Sequence, residues 1–503
     1  MAHNTNVTDV FPPYGGYPKF VSQGLNEKYL PVFLQSAGYN TYYTGKLFNA
    51  HSVSNYHDPF PSGWTGSDFL LDPNTYSYLN ATFQRNKEPP VNYEGQYSTD
   101  VLAGKALSFI DEAVAAKKPF FVGIAPIAPH SNINANVVSP PDGSKRNDKK
   151  FETTPPIPAE RHAHLFPDVV VPRTHNFNSD HPSGASWVFR QPKMTTENVA
   201  YNDEYHRNRI RSLQAVDEMV DSVFKKLESH GITGETYVFY TSDNGFHIGQ
   251  HRLQPGKSCG YEEDINVPLI IRGPGIPAGS VADFVTAHHD LLPTILGIAG
   301  YPVPADVDGV AIPLTEEEQT SARSTRHEHV TVEYWGFAAS EGKFLLFGGD
   351  DRFATNNTYK AVRVISEEYN LYYSVWCNNE RELYDLESDP GQMNNLLQPN
   401  APAINILGQS IQTLTSRLDA LLLVTKTCKG ATCSRPWGAL HPQGSVHTLR
   451  DALASSFDVF YEKALPRVSN SYCASGFLED AEGPTFERNG VLFSNGLRWD
   501  DWS

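Results

Sequence analysis

The run PFFVGIAP, residues 119–126, follows directly on STDVLAGKALSFIDEAVAAKK, residues 98–118. That junction constrains the fold more than any other stretch. The first segment opens with Ser98 and Thr99, suited to capping, and sets Leu102, Ala106, Phe109, Ile110 and Ala113 on one helical face. The second is apolar without alternation, the pattern of a strand buried on both faces of a parallel sheet. A helix feeding such a strand is the repeating unit of an α/β fold.

The same rhythm runs through much of the chain. EKYLPVFLQSAGYNTYYTGK, residues 27–46, reads as a helix stopped at Gly38 and a short strand ending at Gly45–Lys46. A longer helix is predicted over 196–230, with Ile210, Leu213, Val220, Phe224 and Leu227 in its stripe and Gly231 after it. The strands TYVFY and VPLIIRGPG follow, then a loop and helix in TAHHDLLPTILGIAG. Beyond 325 the pattern becomes short strands and turns: HVTVEYW, KFLLFGG, YKAVRVIS and NLYYSVW. Residues 1–325 therefore read as an α/β domain and 326–400 as an antiparallel subdomain. Residues 401–503 read as a helix near 402–424 and a Cys-containing extension. The Pro-, Asn- and His-rich segment 131–195 reads as a long ordered loop or lid.

Of the 503 residues, 40% are apolar, enough for a sizeable core, and no run is long enough to span a bilayer. A net charge of −17 argues against a general nucleic-acid binder. It leaves room for a small anionic substrate, because a pocket on an acidic protein can be locally positive. Cys428 and Cys433 are close enough for a small disulfide loop, and Cys377 and Cys473 are the next candidates, although spacing alone does not fix connectivity. Sequons at Asn6, Asn80 and Asn356 suit a secreted glycoprotein. The start, MAHNTNVTDV, has neither the basic nor the apolar region of a signal peptide and reads as mid-chain sequence.

Chemistry-bearing residues collect at predicted strand ends. Asp243 and Asn244 follow TYVFY, where open α/β sheets bind ligands, and offer hard oxygen donors suited to Ca²⁺ or Mg²⁺. Lys46 and Lys257 each follow a glycine, and His130 follows the apolar run at 119–126. Alone, each has an ordinary explanation: a turn, a solvated lysine, a locally bonded histidine. Together they would make a positive site for a tetrahedral anion and stabilise charge on a leaving oxygen. His247 and His251 lie in the same stretch, 241–257.

SAGYNTYYTGK, PFFVGIAPIAPH, YVFYTSDNGFHIGQH, VPLIIRGPGIP, DLLPTILGIAG and ELYDLESDPGQMNNL occur in the order found in sulfatases of the alkaline phosphatase superfamily. The resemblance covers about residues 30–397 and is strongest to secreted fungal-type arylsulfatases. It implies an alkaline-phosphatase-like core, a central mixed sheet flanked by helices, with a smaller C-terminal antiparallel α+β subdomain. It also implies a small-molecule sulfate-ester substrate, a formylglycine nucleophile and Ca²⁺. By motif match, Asp243 and Asn244 would be metal ligands. Lys46, His130 and Lys257 would contact the sulfate or serve the leaving group, with His251 a further candidate.

Two departures matter. Phe48 stands where many arylsulfatases carry a histidine, which is closer to the glucosamine-6-sulfatase branch. The family's Asp-Asp pair and its Cys-x-Pro-Ser-Arg segment are absent, and CSRPW at Cys433 has similar letters in the wrong order. The sequence therefore reads as a sulfatase starting just past its nucleophile segment, expected to bind Ca²⁺ weakly and to lack formylglycine. A non-catalytic homologue that binds sulfated ligands is the alternative. Phosphate or phosphonate ester cleavage would need a Ser, Thr or Cys nucleophile that the motifs do not place.

Overall fold

The computed structural model describes residues 1–133, 153–349, 351–401, 403–487 and 490–492; the middle of the predicted 131–195 loop, residues 134–152, lies outside them. The larger sheet has five strands: β1 (Asn40–Gly45), β2 (Gly66–Leu70), β3 (Asn80–Arg85), β4 (Val91–Glu94) and β5 (Phe120–Ala125). Their spatial order is β4-β3-β2-β1-β5, with β1 parallel to both β2 and β5 and the remaining pairs antiparallel.

The helix α1 (Ser98–Ala115) buries the predicted face Leu102, Ala106, Phe109, Ile110 and Ala113. Its N-cap is Tyr97, without a side-chain cap, and the Ser98 and Thr99 hydroxyls are buried inside the first turn rather than capping it. The long helix α2 (Thr196–Ser229) is closed at its start by a capping box between Thr195 and Asn198. Its buried face differs from the predicted stripe. Asn202, Asp203, Tyr205, Ser212, Ala215, Val216 and Met219 are buried with Leu227, while Ile210, Leu213, Val220 and Phe224 are half-buried. The reason is local: Ala215, Val216 and Met219 join Leu102, Tyr78 and Phe83 in one apolar cluster, which turns that face inward.

The expectation for PFFVGIAP fails in one respect. It forms β5, but every residue from Phe120 to Ala125 is half-buried, because β5 is the edge of its sheet. TYVFY and VPLIIRGPG give β6 (Val238–Thr241) and β8 (Leu269–Arg272), which among the described residues pair only with each other. Tyr240 and Ile270 on them are exposed.

The C-terminal meander is four-stranded, in the order β9 (His329–Tyr334), β12 (Tyr359–Ile365), β13 (Asn370–Trp376), β14 (Arg381–Asp385). KFLLFGG forms turns instead of a strand, with Phe347, Gly348 and Gly349 at positive φ. Alternation along β13 sends Leu371, Tyr373 and Val375 to one face, against Leu414, Leu418 and Leu421 of α3 (Ile411–Thr425). Tyr372 and Trp376 face the other way and pack on Leu253, Cys259 and Tyr261. The meander therefore supports the loop that carries Lys257. A three-stranded ribbon ties the two regions further: β7 (Gly256–Lys257) pairs with β10 (Ala338–Ser340), which pairs with β11 (Phe353–Ala354). Both disulfides form as proposed, Cys377–Cys473 and Cys428–Cys433, and Cys259 is a buried free thiol.

Candidate functional site

Lys46 leaves β1 through Gly45, whose φ is +112° and where an added Cβ would lie 2.1 Å from the Ala125 carbonyl oxygen. Only glycine lets the chain turn there, so close to the end of β5. The Lys46 ammonium lies 5.0 Å from the centre of the Tyr76 ring, a cation–π contact. Burial pushes its pKa down, while Asp243, Asp72 and Glu341 act to hold the charge.

His130 stacks on the same Tyr76 ring at 4.1 Å. Its Nδ1 lies 2.8 Å from the Ser131 carbonyl oxygen, an acceptor, so Nδ1 carries the proton and Nε2 presents a lone pair. Burial, reinforced by Lys257 and Lys46, lowers its pKa to about 3. The imidazole is therefore neutral at pH 7. Lys257 sits on β7, its Nζ 3.4 Å from Glu341 Oε1, and His130 Nε2 is 3.9 Å from Glu341 Oε2. The Ser131 hydroxyl donates to the same carboxylate at 3.0 Å. Burial acts to raise the Glu341 carboxyl, but Lys257 foremost, with His130 and Ser131, pulls it down to about 2.

Lys46, His130 and Lys257 thus converge from three strand ends, with Asp243 electrostatically coupled to Lys46 from the end of β6. Asn244 follows it, its amide donating to the Gly245 carbonyl at 2.7 Å. His251 lies apart. It is buried at positive φ, 2.8 Å from the Ser183 hydroxyl and stacked on Tyr261, with no bond or ring contact to Lys46, His130, Lys257 or Glu341. Burial holds its pKa near 3. His247 borders the cluster through its backbone, which pairs with Gly256 beside Lys257, while its side chain bonds Asp264 through Nδ1 at 2.9 Å. The sequence reading missed Glu341 and Tyr76. Nothing in ASEGKF or NTYSY distinguishes them from ordinary turn and strand residues.

The chain's first 301 residues match the sulfatase family model. The chain belongs to the sulfatase family. Residues 249–420 also match the model for the C-terminal region of N-sulphoglucosamine sulphohydrolase, a match that runs across the β7–β10 pairing. An arylsulfatase of Volvox carteri is 40% identical over 488 residues, covering 93% of this chain and 72% of that protein. The bovine N-acetylglucosamine-6-sulfatase is 33% identical over 430 residues, 81% of this chain and 70% of that one. A protein solved with its substrate D-glucosamine-2-N,6-O-disulfate superposes with a TM-score of 0.60 at 21% identity, over 79% of this chain and 81% of that chain. That likeness bears out the α/β sulfatase fold. No helix among the described residues is long and apolar enough to cross a membrane.

The donors present do not by themselves fit Ca²⁺. Asp243 and Asn244 offer at most three side-chain oxygens, whereas Ca²⁺ takes six to eight. Among the described residues, the grouping of His, Cys, Asp or Glu side chains tight enough for a cation is His247, Cys259 and Asp264, which excludes Asp243. Nor does a cysteine face the cluster. Four are in disulfides, including Cys433 of CSRPW, and burial raises the thiol pKa of the fifth, Cys259, whose N–H donates to Asp264.

Proposed function

We propose that this protein takes sulfate esters of phenols or sugars at the cluster of Lys46, His130 and Lys257. The observation that carries the reading is the convergence of two ammonium groups and a neutral imidazole from separate strand ends, in a chain of the sulfatase family. Lys46 and Lys257 neutralise the sulfate oxygens and the charge that develops on the ester oxygen. His130 Nε2 is an acceptor in the free protein. A bound anion raises the imidazole pKa and equips Nε2 to hand a proton to the leaving oxygen.

Binding calorimetry with 4-nitrophenyl sulfate and glucosamine 6-sulfate tests this. Lys257→Ala and Lys46→Ala are each expected to weaken binding at least about tenfold, or about 1.4 kcal/mol. Unchanged affinity in both variants would place the sulfate elsewhere.

Two observations favour a second reading, a sulfated-ligand binder without turnover: no cysteine faces the cluster, and Asp243 with Asn244 supplies at most three of the six to eight oxygens that Ca²⁺ takes. Continuous release of 4-nitrophenol would decide for hydrolysis; binding without release decides for the binder. Ca²⁺ is expected to bind with a Kd weaker than about 1 mM, the weak end for protein sites. A submicromolar calorimetric Kd would overturn that expectation. Secretion is part of the proposal, because two disulfides form and persist in an oxidising compartment. Glycan occupancy at Asn6, Asn80 and Asn356, read by peptide mass spectrometry of the secreted protein, tests it.

A further inference from the structure

We propose that Glu341 sets the charge of the anion this site accepts, favouring a monoanion such as a sulfate monoester over a dianion such as a phosphate monoester or free sulfate. The inference rests on reading the Lys46–His130–Lys257 cluster as the sulfate site, and adds a residue outside every motif that pointed to it.

Glu341 is an unusual neighbour for an anion site. Its carboxylate lies 3.4 Å from Lys257 Nζ and 3.9 Å from His130 Nε2, and accepts from the Ser131 hydroxyl. An anion touching Lys257 and His130 must therefore come within a few ångströms of a fixed negative charge. The carboxylate is held by the Ser131 hydroxyl and Lys257, on a backbone that is itself fixed. The Glu341 N–H donates to the Pro255 carbonyl at 2.7 Å, and its own carbonyl accepts from the Tyr205 hydroxyl at 3.2 Å. On the adjoining strand, Ala339 is paired with Lys257, so carboxylate and ammonium ride on one ribbon. The side chain is also largely buried, which limits screening by water.

Repulsion between Glu341 and a bound anion scales with the anion's charge, so a dianion feels about twice the penalty of a monoanion at the same distance. Lys46 and Lys257 attract both, and their pull favours the dianion. Glu341 offsets that preference. The device builds repulsion against the wrong ligand, as discriminating sites commonly do. A sulfate monoester carries one charge. Inorganic sulfate and a phosphate monoester above its second pKa near 6 carry two. The same carboxylate would thereby admit substrate and help expel product.

The test is calorimetry at pH 8 with 4-nitrophenyl sulfate, 4-nitrophenyl phosphate and inorganic sulfate, on the full chain and its Glu341→Gln and Glu341→Asp variants. Glu341→Gln keeps the shape and removes the charge. Its affinity for the two dianions is expected to rise at least about tenfold more than its affinity for the sulfate ester. Glu341→Asp keeps the charge, is expected to discriminate as the parent does, and controls for folding. An equal change for all three ligands overturns the proposal. Weaker binding of all three also overturns it, and makes Glu341 a residue that positions Lys257. If the parent and both variants bind no ligand, the sulfate-site reading itself fails. Sulfate-ester binding with unchanged selectivity removes only the role given to Glu341.

Discussion

Glu482→Gln is expected to destabilise the protein by about 3–5 kcal/mol, the usual cost of breaking a buried ion pair from one side. Lys360 on β12 and Lys426, the C-cap of α3, are almost fully buried, and both bond the Glu482 carboxylate, Lys426 at 3.0 Å. The Lys360 ammonium also lies 4.2 Å from the centre of the Trp335 ring. Burial acts to raise the Glu482 carboxyl, but the two lysines outweigh it and lower its pKa; burial pushes Lys426 down. Glutamine in its place would leave two ammoniums facing each other without a counter-charge. Glu482 belongs to the tail after Cys473, so the triad fastens that tail to both sheet and helix. Urea midpoints with a constant slope would report the loss. Lys360→Met, Lys426→Met and Glu482→Leu together should recover most of it, since an apolar replacement of similar volume leaves no charge buried. A loss below about 1 kcal/mol for Glu482→Gln would mean that water reaches the two lysines.

What the sequence made legible follows from which interactions are local. The face of α1 was readable because Leu102, Ala106, Phe109, Ile110 and Ala113 are apolar and share one helical period. The face of α2 was not, since Asn202, Asp203 and Ser212 are among its buried residues and apolar periodicity cannot see them. PFFVGIAP showed its strand character, yet its burial depends on partners the run does not encode, and β5 is an edge. Lys46, His130 and Lys257 stood out because glycines and apolar strands end just before them. Glu341 reaches Ser131 across 210 positions of sequence and sits in a segment with no motif, so only the fold brings it to the site. The same holds for the β7–β10 pairing, which joins residues on either side of the boundary drawn at 325.

Acidification is the second large effect. Lowering the pH from 7.5 to 5.5 is expected to cost at least about 4 kcal/mol: His130 and His327, both depressed by burial, add to the loss from three histidines, His51, His251 and His329, each under 4% exposed. Burial lowers their pKa values to about 4, 3 and 4. In the unfolded chain each titrates near 6.5, so between about 6.5 and 4 the unfolded state binds more protons than the folded one. Stability is therefore fully present above pH 6.5 and is lost as the pH falls toward the folded values. One unit below 6.5, each histidine costs about 1.4 kcal/mol. Glu328 and Glu382 work in the opposite sense, since burial raises their carboxyls and the folded state takes up their protons first. Their effect opposes the fall that the histidines cause. Thermal unfolding at pH 7.5, 6.5 and 5.5 would show a Tm that drops mainly over the last step. His51 is ringed by Tyr17 at 4.3 Å and Phe69 at 5.5 Å, so His51→Leu fits an apolar setting and removes one titrating group. That variant should lose about 1.4 kcal/mol of the pH-dependent fall; a Tm that stays level from pH 7.5 to 5.5 in the parent would show that these imidazoles accept protons inside the fold.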